Sequence, residues 1–274
     1  MKKLYLLDRN AIAEIKKSAD GVKADPNKLK KLKSIDLRGN FISGMLSVRE
    51  GQSKKIESEE EIQTQIVKDM PYLNVFYSKA RTDSSFFIEN KEFASESFGH
   101  PEGRELNWYK YLEFIKKIQA DLYQPIKKEL RFKKACKILE DAKSTGVPKG
   151  HIIVACSLAS LYGNQSAKKI LKSSPHMSEQ EADERAYNCM SDLICLTRVQ
   201  NVQTSVEKEY LVKFLTFDKP LSDFFKSIQL NWASKITDVD GFSGVETNIT
   251  YPQAVFPEIK CDEFENLTKT WGST

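Results

Sequence analysis

A continuous apolar run that ends in an aspartate constrains the fold of this chain more than any other feature. The run Leu4-Tyr5-Leu6-Leu7 follows two lysines and leads directly into Asp8. Such a run is typical of a strand buried on both faces of a parallel sheet. Asp8 would then lie at the carboxyl end of the strand, where ligands collect in open α/β sheets. The alternative is that Asp8 only caps the helix that follows.

A second run of the same kind lies far along the chain. Residues 213–218, Lys-Phe-Leu-Thr-Phe-Asp, again form an apolar strand that ends in an aspartate. If the two strands lie side by side, Asp8 and Asp218 meet at one edge of the sheet. Repulsion between two carboxylates makes this arrangement costly unless a cation lies between them. We therefore expect a divalent metal at this edge.

The composition is that of an ordinary soluble globular protein. Of 274 residues, 40% are apolar and 29% are charged, which excludes a chain that is disordered throughout. No signal peptide and no run of about 20 apolar residues is present, so we expect a cytoplasmic protein without a membrane partner. The five cysteines show no paired spacing and predict neither a disulfide framework nor a zinc site.

Lysine and arginine occur in clusters, although the formal net charge is only +4. The clusters lie at residues 28–33, 54–55, 127–134 and 168–169. Basic clusters around an acidic centre suit a protein that binds a phosphate backbone. The candidate nucleic-acid contacts are Lys127, Lys128, Arg131, Lys133 and Lys134. The alternative is that these basic runs are solvated helix faces.

Four short motifs resemble those of the PIN-domain nucleases. Residues 6–10, Leu-Leu-Asp-Arg-Asn, are similar to the opening strand of that family, where an asparagine follows the aspartate by two positions. Residues 215–218, Leu-Thr-Phe-Asp, are similar to the closing strand. Between these strands, Glu50 and Asp192 resemble an acid at a helix end and an acid within a later helix. The motifs stand in family order, but Glu50 and Asp192 are much further apart than in compact members.

The resemblance implies a metal site made of four acids. The catalytic residues, which would also bind one or two Mg²⁺ or Mn²⁺ ions, are Asp8, Glu50, Asp192 and Asp218. Three residues would orient these ligands by hydrogen bonds without binding the metal themselves: Asn10, Asn188 and Thr216. Asn188 precedes Asp192 by four positions and so shares its helix face. Apolar neighbours flank Asp192, and a buried carboxylate of this kind needs a cation or hydrogen-bond donors.

The function that the resemblance implies is metal-dependent hydrolysis of phosphodiesters, with RNA as the favoured substrate. A role as a bacterial toxin or phage-defence effector would add an antitoxin or a defence-system protein as a partner, and homo-oligomers are left open. Two alternatives remain. The chain is a structure-selective DNA nuclease, or it is an inactive module that binds nucleic acid or protein.

The predicted architecture is a single PIN-like α/β domain over residues 1–274. A central, mostly parallel sheet would carry helices on both sides. Residues 53–147 are predicted to form a large helical insertion, because most of this stretch shows amphipathic helical patterns. Residues 231–274 are predicted to form an irregular or hairpin extension, because they are richer in Asp, Gly, Thr and Pro.

Overall fold

The structure is a computed structural model that describes residues 2–50, 57–99, 107–174, 178–206, 209–228, 234–239, 242–247 and 251–272. The chain forms two compact units, which are described separately. Unit 1 comprises Met1–Trp108 and Cys195–Lys219, and unit 2 comprises Tyr109–Ile194 and Pro220–Thr274. The predicted insertion at residues 53–147 is therefore divided between the two units.

Unit 1 contains a four-stranded, all-parallel sheet, which confirms the predicted α/β fold with a parallel sheet. Its strands are β1 (Lys2–Leu7), β2 (Phe41–Ser43), β3 (Arg81–Thr82) and β4 (Tyr210–Leu215). Their order across the sheet is β3-β2-β1-β4. The first strand is thus an inner strand, and the strand with the second apolar run lies directly beside it.

Helices of unit 1 surround this sheet. They are α1 (Arg9–Ala19), α2 (Pro26–Ser34), α3 (Met45–Glu50), α4 (Glu59–Asp69), α5 (Pro71–Phe76), α6 (Ser84–Glu89) and α7 (Lys91–Gly99). Local signals set several of their starts. Asp25 accepts hydrogen bonds from Asn27 N and Lys28 N, which caps α2. Ser58 and Glu61 form a capping box at the start of α4.

Burial explains why the last four residues of β1 are apolar without interruption. Leu6 and Leu7 point to opposite faces of the sheet, and they are 1% and 0% exposed. Leu7 belongs to a core cluster with Ile12 and Ile15 of α1 and with Leu215 of β4. Because both faces are covered, the position of Asp8 just beyond the strand is fixed by packing on either side.

Unit 2 is mostly helical. Its helices include α8 (Trp108–Asp121), α9 (Arg131–Ser144), α10 (Ile152–Leu161), α11 (Gln165–Leu171) and α14 (Cys261–Gly272). Two more helices, α12 (Glu179–Val206) and α13 (Lys219–Ser227), have residues in both units, and α8 begins at Trp108 of unit 1. Every residue of α10 is buried, in agreement with its apolar sequence.

The segment at residues 231–274 contains an antiparallel hairpin of β5 (Ser234–Val239) and β6 (Phe242–Thr247). The helix α14 follows it, with Asp262 and Glu263 in its first turn and Leu267 buried. In the described part of the chain, no helix is long and apolar enough to cross a lipid bilayer.

Candidate functional site

Two polar residues lie side by side where β1 and β4 end. Leu7 pairs with Leu215, so the residues that follow, Asp8 and Thr216, are neighbours at the carboxyl edge of the sheet. The Asp8 N–H donates to the Leu215 carbonyl at 3.3 Å and extends the ladder by one step. Both side chains are buried, at 2% and 5% exposure. This edge is the place where open α/β sheets bind ligands.

The Asp8 carboxylate has three hydrogen-bond partners and a second acid nearby. Its Oδ1 accepts from Ala11 N at 2.8 Å, so Asp8 does cap α1. It is also hydrogen-bonded to the side chains of Thr216 and Asn10. Burial raises the pKa of Asp8, the three hydrogen bonds act in the opposite direction, and the negative charge of Asp218 raises the pKa further. The Asp8 carboxylate therefore both caps α1 and lies close to a second acid, Asp218.

Thr216 connects the two acids. Its hydroxyl is bonded to Asp8, and the same Oγ1 accepts from the Asp218 N–H at 2.9 Å. The second bond turns the chain immediately after β4, before α13 begins at Lys219. As a result, Asp218 is held close to Asp8, although 210 positions separate them in the sequence.

Glu50 reaches the same end of α1. It is the last residue of α3, and its Oε2 accepts from the Arg9 N–H at 3.1 Å. Arg9 is the first residue of α1, so Glu50 satisfies one of the N–H groups that have no partner within the helix. The positive end of the helix dipole favours both carboxylates at this position. In unit 1, Asp218 therefore lies close to Asp8, and Glu50 lies at the same end of α1.

Asp83 is an acid at this edge that the sequence analysis missed. Ile42 pairs with Thr82, so Ser43, the last residue of β2, and Asp83, the residue after β3, are neighbours. The Ser43 hydroxyl and the Gly44 N–H donate to the two Asp83 oxygens. Burial raises the pKa of Asp83 to about 6, against the effect of these hydrogen bonds. Because β3 has only two residues, it leaves no apolar run that could have marked the acid behind it.

Asp192 and Asn188 lie on the part of α12 that belongs to unit 2. Both side chains are partly buried. The Asp192 carboxylate is close enough to Cys156 and Cys189 for its negative charge to add to the burial that raises the pKa of each thiol. The contribution of Asp192 and Asn188 to a site with the acids of unit 1 stays a prediction.

The five predicted nucleic-acid contacts lie in unit 2, at and before the start of α9. Two of them are paired with acids. Arg131 Nη1 lies 2.6 Å from Glu258 Oε2, and Lys134 Nζ lies 2.6 Å from Asp121 Oδ2. The other three, Lys127, Lys128 and Lys133, are exposed. The role of all five residues in binding a phosphate backbone stays a prediction. Two of the five positive charges are already balanced by acids within unit 2.

Comparisons with known proteins give no information on the chemistry of this site. No protein-family model, no curated protein and no solved structure matches this chain. The donor atoms at the edge of the sheet therefore decide which ligand it can hold.

The pair of Asp8 and Asp218 fits a hard divalent cation. In the described part of the chain, no lysine or arginine forms an ion pair with Asp8. A buried carboxylate beside a second carboxylate is costly without a cation, and oxygen ligands select Mg²⁺ or Mn²⁺. Among the described residues, no three His, Cys, Asp or Glu side chains are close enough to form a complete metal site. Mg²⁺, however, is usually bound by only one or two carboxylates, with waters and substrate phosphates completing its coordination.

The raised pKa of Asp83 predicts that this residue makes the protein less stable as the pH rises. The folded protein binds the Asp83 proton up to about pH 6, whereas the unfolded chain releases it near pH 3.8. Between these values the free energy of unfolding should fall with increasing pH. Asp83→Asn should remove this slope and, at pH 7, stabilise the protein by roughly 1–2 kcal/mol, less than the full shift because the group is partly exposed. Urea unfolding at pH 5 and pH 7 measures both effects; a less stable variant at pH 7 would show that the ionised carboxylate is needed.

Proposed function

We propose that this chain is a metal-dependent nuclease that hydrolyses phosphodiester bonds in RNA at the edge formed by Asp8 and Asp218. The observation that carries the proposal is the buried Asp8 carboxylate, which is joined through Thr216 to a second acid at the carboxyl ends of two adjacent parallel strands. The similarity of the motifs around these acids to those of PIN-domain nucleases supports the same chemistry.

Asp8 and Asp218 would hold the cation, and their neighbours would orient them. Thr216 and Asn10 fix the Asp8 carboxylate by hydrogen bonds, as residues behind metal ligands commonly do. Glu50, whose Oε2 accepts a hydrogen bond from the Arg9 N–H, would accept a proton from a water molecule at the edge. When bound, Mg²⁺ or Mn²⁺ would lower the pKa of a water molecule and neutralise charge on the phosphate. Asp192 is proposed as a further ligand on the resemblance alone.

The experiment is direct incubation of the purified protein with 5′-labelled single-stranded RNA and with branched DNA. Each substrate is tested with Mg²⁺, with Mn²⁺ and with EDTA. We expect RNA fragments in the presence of either metal and none in EDTA. Cleavage of branched DNA alone would favour a structure-selective DNA nuclease instead. Binding of either nucleic acid without cleavage under all conditions would make the chain a binding module and would contradict the proposal.

A further inference from the structure

The helix α2 carries the most concentrated positive charge near the acidic edge. Its nine residues contain four lysines and no acid. The lysines of α2 are Lys28, Lys30, Lys31 and Lys33. Leu32 of the same helix is fully buried in the core of unit 1. The lysines therefore project from a helix that is fixed firmly to the unit that carries Asp8 and Asp218.

Two of these lysines lie beside the acidic edge itself. Lys28 Nζ is 5.3 Å and Lys31 Nζ is 5.5 Å from the centre of the Phe217 ring. Phe217 is the residue between Thr216 and Asp218. The ring thus holds two ammonium groups by cation–π contacts next to the turn that positions the acidic pair.

The charges of these two lysines are only weakly balanced by acids. Lys31 is exposed, and within the described part of the chain it forms no ion pair with a carboxylate. Lys28 Nζ lies 3.4 Å from Glu14 Oε1, but Lys17 lies closer to that oxygen, at 2.9 Å. The positions of Lys28 and Lys31 on one face of a helix also make them repel each other. An anion that bridges them would relieve this repulsion.

We propose that Lys28 and Lys31 bind the phosphate backbone of single-stranded RNA beside the bond that is cut, a role that rests on the proposed function. Carboxylates at the edge repel a polyanion, so a nuclease site of this kind needs cations close by that are not consumed by internal ion pairs. Lys31 at the Phe217 ring meets this requirement, and Lys28 meets it in part, because it shares Glu14 with the closer Lys17. Arg131 and Lys134 in unit 2 do not, because each already lies 2.6 Å from a carboxylate oxygen.

The test is the salt dependence of RNA binding, measured by fluorescence anisotropy in EDTA so that no cleavage occurs. Lys31→Gln alone and together with Lys28→Gln are compared with the matched pair Lys30→Gln and Lys33→Gln, which makes the same charge change on the same helix. Each lost phosphate contact should reduce the slope of log K against log salt concentration by about 0.7 and weaken binding roughly five-fold at 0.1 M salt. We expect these losses for Lys31→Gln. The double variant should lose about twice as much slope and bind roughly 25-fold more weakly, and the matched pair should lose less than two-fold in affinity.

Equal losses in the two pairs, or none in either, would overturn the assignment, since binding would then depend on net charge or on another surface. Lys31→Gln is the decisive variant, because the Lys31 side chain is exposed and its replacement should leave the fold intact. An unchanged Tm would show that it does. Cleavage by the wild-type protein with Mg²⁺ separates this proposal from the one on which it rests. Cleavage that does not depend on Lys28 and Lys31 would leave the nuclease standing and remove the docking site. Binding that depends on both lysines without any cleavage would support the docking site and remove the nuclease.

Discussion

Asp8→Asn should reduce the rate of RNA cleavage by about 10²–10³-fold and leave the protein folded. Loss of one of two carboxylate ligands weakens the hold on the cation and its stabilisation of the transition state by several kcal/mol, which corresponds to this rate factor. The fold should survive because asparagine caps a helix as well as aspartate does, so the bond to Ala11 N is kept. Asp218→Asn should reduce the rate of cleavage in the same way. This variant should also stay folded, because its backbone N–H still donates to Thr216 Oγ1.

Single-turnover cleavage of labelled RNA with Mg²⁺ or Mn²⁺ measures this loss. Asp262→Asn is a matched control, because it removes the same charge from an exposed position in the first turn of α14. The control should cleave at the wild-type rate, and circular dichroism should show all three variants folded. Wild-type rates in a folded Asp8→Asn or Asp218→Asn variant would place the catalytic site elsewhere.

Mg²⁺ or Mn²⁺ should raise the Tm of the wild-type protein by roughly 5–10 °C. A ligand that binds only the folded state stabilises it by about 2.7 kcal/mol at a hundred-fold excess over Kd, and each kcal/mol shifts the Tm of a chain of this size by about 2–4 °C. Without metal, Asp218 adds to the burial that raises the pKa of Asp8. Asp218→Asn should therefore be at least as stable as wild type in EDTA and should lose most of the metal-induced shift.

Asp192→Asn tests the acid whose place in the site rests on the resemblance alone. If Asp192 is a ligand, the variant should also lose most of the metal-induced rise in Tm and should be as stable as wild type in EDTA. Differential scanning calorimetry with and without Mn²⁺ measures both quantities. A variant that loses stability in EDTA and keeps the full metal shift would show that Asp192 only serves its own helix, near Cys156 and Cys189.

The part of the site that the sequence predicted is the part that local patterns specify. Two apolar runs that each end in an aspartate indicated that their acids would meet if the strands were adjacent, and β1 and β4 do pair, with Asp8 and Thr216 side by side. Burial on both faces explains the run in the inner strand β1, whereas β4 is an edge strand and is only partly buried. Glu50 also arrives at the same helix end, because α3 follows the neighbouring strand β2.

Features that depend on packing between distant segments left no such pattern. The strand β3 has two residues, and Asp83 behind it becomes recognisable only once Thr82 is seen to pair with Ile42. The lysines of α2 formed a visible basic cluster, but the sequence did not place them beside Phe217, since this contact depends on how α2 packs in unit 1. The boundaries between the units at residues 194–195 and 219–220 likewise left no mark in the sequence, because α12 and α13 continue across them.

The most direct test that the edge holds a divalent cation is a measurement of Mn²⁺ binding. Electron paramagnetic resonance measures the concentration of the free ion. Wild-type protein is titrated with Mn²⁺ without nucleic acid, next to Asp8→Asn, Asp218→Asn and the control Asp262→Asn. We expect saturable binding of one or two ions to the wild type and the control, and at least roughly ten-fold weaker binding to both edge variants, since even residues behind metal ligands contribute ten-fold or more. Equal Mn²⁺ affinity in all four proteins would contradict a metal site at Asp8 and Asp218.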